Sequence, residues 1–188
     1  QMCIRDRPKS TPIADAADQD SDTITYDVSS SFTDDNPLNY TATGLPAGLS
    51  IDPVTGVISG TIDHSASQGG TSGVYNVTVT ATDGVNAPTS QTFDWTVTNP
   101  APIAADDTGS VDEDATLTVD AANGVLNGTG TDVDPDGDTL TVTAIRTGEE
   151  TGSGTSGTVS TPLTGTYGTL TLNPDGSYAY VADQPLAD

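Results

Sequence analysis

The stretch VYNVTVTATD, residues 74–83, places Tyr75, Val77, Val79 and Ala81 at every second position, with asparagine and threonine between them. Alternate side chains of an extended strand point to opposite faces of its sheet. A helix would instead repeat its apolar residues every three or four positions. The stretch therefore predicts a half-buried β-strand with one face on a hydrophobic core.

The same period-two alternation recurs through the rest of the first half of the chain. It appears in DTITYDVS (residues 22–29), LNYTATG (residues 38–44) and QTFDWTVTN (residues 91–99), and turns such as LPAG and DPVTG separate the segments. The side chains predicted to face the core are Ile24, Tyr26, Val28, Tyr40, Leu49, Ile51, Tyr75, Val77, Val79, Phe93, Trp95 and Val97. Short strands without a helical period indicate an antiparallel β-sandwich.

A second set of strands follows a boundary at NPAPIAADD, residues 99–107, where two prolines and a run of small residues end the first set. The predicted strands of the second set are DATLTVD (residues 114–120), DTLTVTAI (residues 138–145), YGTLTLN (residues 167–173) and SYAYVA (residues 177–182). We therefore predict an all-β protein with two tandem β-sandwich domains.

The charge of the chain limits its partners. Its 188 residues include 27 acidic and only four basic side chains, for a net charge of −23. A field this negative repels nucleic acid and anionic membranes and favours cations. No run of 18 apolar residues is present, so we expect no direct membrane insertion.

The first seven residues, QMCIRDR, differ in composition from everything that follows. They hold the only cysteine, the only methionine and two of the four basic residues. We interpret residues 1–12 as a non-native, adapter-like leader and a linker, and exclude the leader from fold reasoning. A redox role for Cys3 is the rival interpretation. Without the leader the chain has no cysteine for a disulfide, so an extracellular domain would need another source of rigidity.

No catalytic constellation is evident in the sequence. The single histidine, His64, lies in a polar loop without a cysteine or a second histidine beside it, and no GxSxG nucleophile motif occurs. Trp95 lies on the same face of its predicted strand as Phe93 and Val97, which favours core packing over a sugar-stacking role. We predict that the protein is not an enzyme.

The first half contains an ordered signature, YTATGLPAGLSIDPVTGVISGT, at residues 40–61, followed by YNVTVTATDG. This signature resembles the bacterial Ig-like and dystroglycan-type cadherin-like domains of surface proteins, over residues 13–99. The second half, with DVDPDGDTLTVTAI and GTYGTLTLNPDGSYAYVAD, is similar to VCBS-type and bacterial cadherin-like repeats of RTX-type adhesins. The resemblance implies extracellular Greek-key sandwiches that are commonly calcium-dependent.

These resemblances set the expected domain boundaries. We predict a leader and linker at residues 1–12, a cadherin-like or Ig-like domain at 13–99, a linker at 100–107, and a VCBS or cadherin-like domain at 108–188. In the resembling repeats a final strand follows the segment YAYVAD, and this chain stops at Asp188 before it. We therefore expect the second domain to be truncated at its C-terminus.

The loop TDVDPDGDTL, residues 131–140, carries Asp132, Asp134, Asp136 and Asp138 on alternate positions. Oxygens at positions 1, 3, 5 and 7 with glycine at position 6 resemble the opening of an EF-hand, but position 12 is Thr143 instead of glutamate, and a predicted strand follows. The loop is therefore not an EF-hand. Four carboxylates this close still predict a bound cation, and Ca²⁺ tolerates irregular oxygen geometry.

The family resemblance implies further ligands. Asp132 and Asp134 match the Asp-x-Asp loop that binds interdomain calcium in cadherin-like domains, and Asp34 holds the equivalent place in the first domain. Asp83 matches the family's later aspartate, and Glu113 matches its first-strand glutamate. The first domain lacks a matching glutamate in IADAADQDSDT. In the linker, Asn99, Asp106 and Asp107 are the nearest groups that could complete the shell. A solvated acidic turn without an ion is the alternative.

Three functions fit these features. The favoured one is a calcium-rigidified spacer in a secreted bacterial surface adhesin, with neighbouring repeats of the same chain as its partners. The second is an accessory module that binds a cell-surface glycan or protein. The third attributes the acidity to a saline habitat alone. Much of the acidity gathers in loops and the linker, which favours bound ions.

Overall fold

The computed structural model describes residues 7–149 and 152–183. The adapter-like string up to residue 6 and the chain end at Asp188 lie outside these residues. The chain divides into two compact units, which we call unit one, up to Pro100, and unit two, from Ala101. The described residues form 15 short strands and two 3-10 turns, Ser29–Ser31 and Ala66–Gln68. The prediction of an all-β fold is confirmed.

Unit one is built from two principal sheets. Its strands, in chain order, are β1 (Lys9–Ser10), β2 (Ala16–Gln19), β3 (Thr23–Asp27), β4 (Phe32–Thr33), β5 (Asn39–Thr43), β6 (Leu49–Ile51), β7 (Val57–Thr61), β8 (Val74–Thr82) and β9 (Thr89–Thr98). One sheet has the order β2-β9-β8-β5 and the other the order β3-β7-β6, while β1 pairs with β4. Strand β2 runs parallel to β9, and every other pair in the unit is antiparallel.

The inward faces of these sheets are the ones that the alternation predicts. Eight of the twelve predicted side chains are buried, and the other four, Tyr26, Leu49, Ile51 and Tyr75, are partly buried against the same core. The prediction of the core face is thereby confirmed. The core also includes Ile13, Phe32, Ile58, Ile62 and Ala66, which the period-two segments did not identify.

Aromatic contacts join the two sheets of unit one. The ring of Tyr26, on β3, lies 5.5 Å from that of Trp95 in an edge-on arrangement and 5.9 Å from that of Phe93, both on β9. Such tilted contacts contribute about 0.5–1.5 kcal/mol each beyond the area that they bury. The indole of Trp95 is 1% exposed. It therefore packs in the core, as its place in the period-two alternation predicted.

The Trp95 indole also fixes strand β2. Its Nε1 donates a hydrogen bond of 2.8 Å to Oδ2 of Asp18 on β2. A buried N–H without an acceptor destabilises a fold, so this bond removes a penalty and holds the N-terminal strand against β9. Lys9 and Ser10, which the sequence analysis placed in the leader and linker segment, pair as β1 with Phe32 and Thr33.

The glycines of the signature allow a close approach of backbones. Gly48 has a φ of +91°, and a Cβ there would lie 2.0 Å from the carbonyl oxygen of Thr61. Gly60 has a φ of +141°, and a Cβ there would lie 2.2 Å from the carbonyl oxygen of Gly48. A side chain at either position would push β6 away from the end of β7. These two glycines therefore serve the architecture of the sheet.

Unit two has one four-stranded sheet and a small hairpin. Its strands are β10 (Thr116–Val119), β11 (Ile145–Arg146), β12 (Ser156–Gly157), β13 (Leu163–Thr164), β14 (Thr169–Leu172) and β15 (Tyr178–Val181). The sheet has the order β10-β15-β14-β13, and β11 pairs with β12. Its neighbouring strands are antiparallel. Among the described residues of unit two, Ile145 and Leu172 are the buried hydrophobic side chains.

Two features of unit two differ from the sequence expectations. The predicted strand at residues 138–145 is wrong except at its end, where Ile145 begins β11. A strand needs a neighbouring strand whose backbone groups pair with its own. In this segment Val142 donates a backbone hydrogen bond of 2.9 Å to the carbonyl oxygen of Pro174, which belongs to a turn. Ile103, placed in the linker at 100–107, forms a β-bridge with Val133. Part of the expected linker therefore belongs to unit two.

Replacing Asp18 by alanine tests the contact between β2 and the core. We expect unit one to lose about 1–3 kcal/mol of stability, because the buried Trp95 N–H loses its acceptor. Urea unfolding of the full chain, followed by the fluorescence of its single tryptophan, reports this loss. The matched control is Asp35→Ala, which removes the same charge from an exposed position. Equal midpoints for the two variants would contradict the prediction.

Candidate metal centre

The acidic loop of unit two alternates half-buried aspartates with exposed residues. Asp132, Asp134, Asp136 and Asp138 are all half-buried, and the five residues that flank and separate them, from Thr131 to Thr139, are all exposed. Period-two alternation in an extended segment produces this pattern. The alternation of burial agrees with the sequence pattern, but the loop turns at Pro135 and Asp136 and is not extended throughout.

Asp134 organises the turn within this loop. Its Oδ1 accepts hydrogen bonds of 3.2 Å from the backbone N–H groups of Asp136 and Asp138. The N–H of Gly137 donates to the carbonyl oxygen of Asp134 at 3.2 Å, and Gly137 has a φ of +87°. Glycine adopts this left-handed conformation without the strain that a Cβ would cause. The Pro-Asp-Gly sequence therefore curls the loop around the Asp134 side chain.

Asp136 has the least compensated charge in the loop. Both of its carboxylate oxygens are buried and have no hydrogen-bond donor. A proton on Asp136 would be donated to Asp134; this hydrogen bond, with desolvation and the charges of Asp134 and Asp138, raises the pKa of Asp136. The same hydrogen bond lowers the pKa of Asp134. The site thus favours a positive species, either a proton or a metal cation, between these side chains.

Two other carboxylates tie the loop to the preceding segment. Oδ1 of Asp132 accepts a hydrogen bond of 2.8 Å from the N–H of Ala105. Oδ1 of Asp107 accepts from the N–H of Gly130 at 3.0 Å and from the hydroxyl of Thr129 at 3.3 Å, while its Oδ2 is buried without a donor. Asp106 is exposed, as is Glu113.

The acidic candidates of unit one form local turns. Oδ1 of Asp34 accepts from the backbone and side-chain nitrogens of Asn36, at 2.8 and 3.3 Å, and its Oδ2 is buried without a donor. Oδ1 of Asp83 accepts from Val85 and Asn86, and its Oδ2 accepts from the side chain of Asn86 at 2.8 Å. The backbone N–H groups of Asn86 and then Val85 lower the pKa of Asp83. These turn bonds account for Asp83 without an ion.

The structure does not assemble the nine acidic candidates into one centre. Within residues 7–149 and 152–183, no three carboxylate, imidazole or thiol groups converge as a metal cluster would require. Asp134 and Asp136 are brought together, and Asp132 and Asp107 each bond to a backbone N–H of another segment. A cation at this loop would therefore take backbone carbonyls or water as further ligands.

Asp20 is an acidic residue that the sequence analysis missed. It is 3% exposed, its Oδ1 accepts a hydrogen bond of 2.8 Å from the N–H of Ser67, and its Oδ2 is buried without a donor. It lies in the segment IADAADQDSDT, which contains no glutamate. The feature of the sequence that could have identified Asp20 is its position. It directly follows the strand β2, where a side chain can turn back under the sheet.

Comparison with known proteins identifies both halves. Residues 7–98 match the family model described as a putative Ig domain, and residues 99–187 match the bacterial cadherin-like domain. No curated protein sequence matches the chain. No helix in the described part of the chain is long and apolar enough to cross a membrane.

Solved structures give looser likenesses. Drosophila N-cadherin EC1-4 is 16% identical, with 98% of this chain and 42% of that chain covered and a TM-score of 0.44. Human protocadherin-24 EC1-2 is 13% identical over 98% of this chain and 80% of that chain, with a TM-score of 0.40. A putative alpha-galactosidase from Bacteroides fragilis is 21% identical over 50% of this chain and 19% of that chain, with a TM-score of 0.39.

These three likenesses are too loose to bear on function, because every TM-score lies below 0.5. This chain spans less than half of the N-cadherin chain and about a fifth of the galactosidase chain. The two family matches follow one another along nearly the whole sequence, and the all-β fold agrees with both. The chain consists of a putative Ig domain followed by a bacterial cadherin-like domain.

Proposed function

We propose that the chain is a structural repeat segment of a secreted bacterial surface adhesin, in which bound calcium stiffens an extracellular spacer. The observation that carries the proposal is Asp136, whose two buried oxygens have no donor inside a loop of four aspartates. Cadherin-like domains typically bind calcium and occur in adhesion-type extracellular repeats. Domains of these two families are usually non-enzymatic, in keeping with the lack of a catalytic motif.

The donor set of the loop fits Ca²⁺ in chemistry. Calcium takes six to eight oxygen ligands and accepts irregular geometry, whereas Mg²⁺ requires a near-ideal octahedron. Asp132, Asp134, Asp136 and Asp138 would supply carboxylate oxygens, and Asp107 brings a further buried oxygen without a donor. A bound cation would neutralise the repulsion between these side chains. Backbone carbonyls and water would complete the shell.

The remaining candidates are secondary ligands in this proposal. Asp34 and Asp20 each keep a buried oxygen without a donor, which a cation would satisfy. Asp106 and Glu113 are exposed, so water already solvates their carboxylates. Asp83 is the weakest candidate, because donors already occupy both of its oxygens.

The proposed partners follow from the repeat character of these domains. We infer that neighbouring repeats of the same chain are the main partners, and that the parent protein is an RTX-type adhesin exported to the cell surface. The net charge of −23 argues against nucleic acid as a partner. Residues 8–188 contain no cysteine, so bound ions, and not disulfides, would stiffen the spacer.

Calorimetric titration of the full chain with CaCl₂ tests the proposed site. We expect binding with a dissociation constant on the order of 10⁻⁴ to 10⁻³ M, as in other extracellular modules. The double variant Asp132→Ala, Asp134→Ala should lose the binding heat of this loop. Asp175→Asn is the matched control, because Asp175 also forms a turn of unit two, through Ser177, outside the proposed site. Equal heats for the double variant and the unaltered chain would contradict the proposal.

The variant Asp136→Asn distinguishes a calcium-binding site from an acidic turn whose charges are only screened by salt. In the presence of a chelator the substitution should raise the melting temperature. It removes a buried carboxylate that has no hydrogen-bond donor, and the new amide offers an N–H to Asp134. In millimolar calcium it should lower the melting temperature relative to the unaltered chain, because a ligand charge is lost. Differential scanning calorimetry in both conditions measures this reversal.

The control for that experiment is sodium chloride at the ionic strength of the calcium buffer. Simple screening would act equally with either salt. If sodium chloride stabilises the unaltered chain as much as calcium does, the acidity reflects a saline habitat and the spacer is not calcium-rigidified.

A further inference from the structure

Asparagine precedes glycine at two places, Asn123–Gly124 and Asn127–Gly128, both in the segment between β10 and β11. The side-chain carbonyl carbon of an asparagine can be attacked by the backbone nitrogen of the next residue. Glycine lets that nitrogen approach most closely, because it has no Cβ. Every other asparagine precedes either proline, which has no N–H, or a residue with a Cβ. These two asparagines are therefore the ones most prone to lose a side-chain amide.

Hydrogen bonds and packing restrain the first of these asparagines. The backbone N–H of Asn123 donates to Oδ1 of Asp120 at 3.1 Å, and its Nδ2 donates to the same oxygen at 2.8 Å. Gly124 is buried, and a Cβ there would lie 2.1 Å from the carbonyl oxygen of Gly176. The same carbonyl accepts a hydrogen bond of 3.0 Å from Val125. The glycine therefore needs a local opening of unit two before it can move toward the Asn123 side chain.

The second asparagine lies at the start of a short loop. Asn127 forms a β-bridge with Thr131, so residues 128–130 connect the two, and two of these three residues are glycines. Asn127 is exposed, and its Nδ2 donates a hydrogen bond of 3.1 Å to the carbonyl oxygen of Ala121. Among the described residues, the N–H groups of Gly124 and Gly128 both lack an acceptor. Packing is therefore what distinguishes the two sites.

The closest neighbour of Gly128 is a side chain and not the backbone. A Cβ at Gly128 would lie 2.5 Å from Oδ1 of Asp107, while the nearest backbone atoms would lie 3.0 and 3.1 Å away. A carboxylate can move aside by rotation, whereas the carbonyl that confines Gly124 is part of the main chain. Gly128 is also half-buried, in contrast to the buried Gly124. Its nitrogen therefore has more freedom to approach the preceding side chain.

We propose that Asn127 is a site of spontaneous modification, at which the amide is lost and the residue becomes aspartate or isoaspartate. The backbone nitrogen of Gly128 forms a bond to Cγ of Asn127. The bond from Cγ to Nδ2 breaks, and ammonia leaves with the proton of the glycine N–H. Water then adds to one carbonyl of the resulting cyclic imide and breaks one of its two C–N bonds. The only co-reactant is water, which reaches this exposed residue from solvent.

The product alters the loop that holds Asp107. Oδ1 of Asp107 accepts hydrogen bonds from the N–H of Gly130 and the hydroxyl of Thr129, both within the loop that Asn127 begins. In isoaspartate the main chain runs through the former side chain, which adds one carbon to this loop. Either product also adds a negative charge to an acidic segment. We therefore expect modified unit two to melt at a lower temperature. The reaction needs no metal ion, so it is independent of the proposed calcium binding.

Incubation of the full chain at pH 8 and 37 °C, in buffer and in urea, tests the proposed site. Peptide mapping by mass spectrometry follows the loss of the amide at both asparagines over time. In urea the two should react at similar rates, because each precedes glycine in an unfolded chain. In buffer Asn127 should react at least about tenfold faster than Asn123, because Asn123 requires a local opening.

Two variants serve as matched controls. Asn127→Gln should abolish the reaction at this position, since attack on the longer side chain forms a larger and less favourable ring. After incubation this variant should keep the melting temperature that the unaltered chain loses. Asn123→Gln should leave the rate at Asn127 unchanged. Equal rates at the two asparagines in buffer, a faster reaction at Asn123, or an equal fall in melting temperature in Asn127→Gln would overturn the proposal.

Discussion

The pairing of β8 with β9 is the constraint on which unit one depends. These are its two longest strands, and their register places Tyr75 opposite Trp95 and Val77 opposite Phe93. A slip of either strand by one residue would turn its apolar set to solvent. The pair also forms the centre of its sheet, since β5 is added at one side and β2 at the other. The indole of Trp95 extends this constraint to β2 through Asp18.

The second constraint is electrostatic and lies in loops. A chain with a net charge of −23 must keep its carboxylates apart or supply them with donors. Asp52, for example, accepts two backbone hydrogen bonds of 2.8 Å in the β6–β7 turn, and these bonds lower its pKa. Asp136 has no such donors. The contrast between a satisfied and an unsatisfied aspartate distinguishes a structural turn from a candidate ion site more clearly than the number of acidic residues does.

The two units share a pattern of strand order, but the sheets that show it differ in how deeply their side chains are buried. The sheet β3-β7-β6 of unit one and the strands β10-β15-β14 of unit two both place the last strand of the set between the other two. In unit one the first of these sheets packs on β2-β9-β8-β5, and residues such as Ile58 are completely buried. In unit two Leu170, Tyr178 and Tyr180 remain half-buried.

The sequence alone determined that the chain is all-β and which side chains of its longer strands face the core. Each of these follows from period-two alternation, which is a local property of an extended backbone. Alternation was not sufficient at residues 138–145, because pairing depends on a neighbouring strand that the local sequence does not specify. The tertiary structure decided the rest. Asp18 meets Trp95 across 77 positions of the chain, and Asp20 receives its donor from Ser67, 47 positions away. Whether a buried group is satisfied depends on donors that distant segments bring to it, and local sequence does not contain that information.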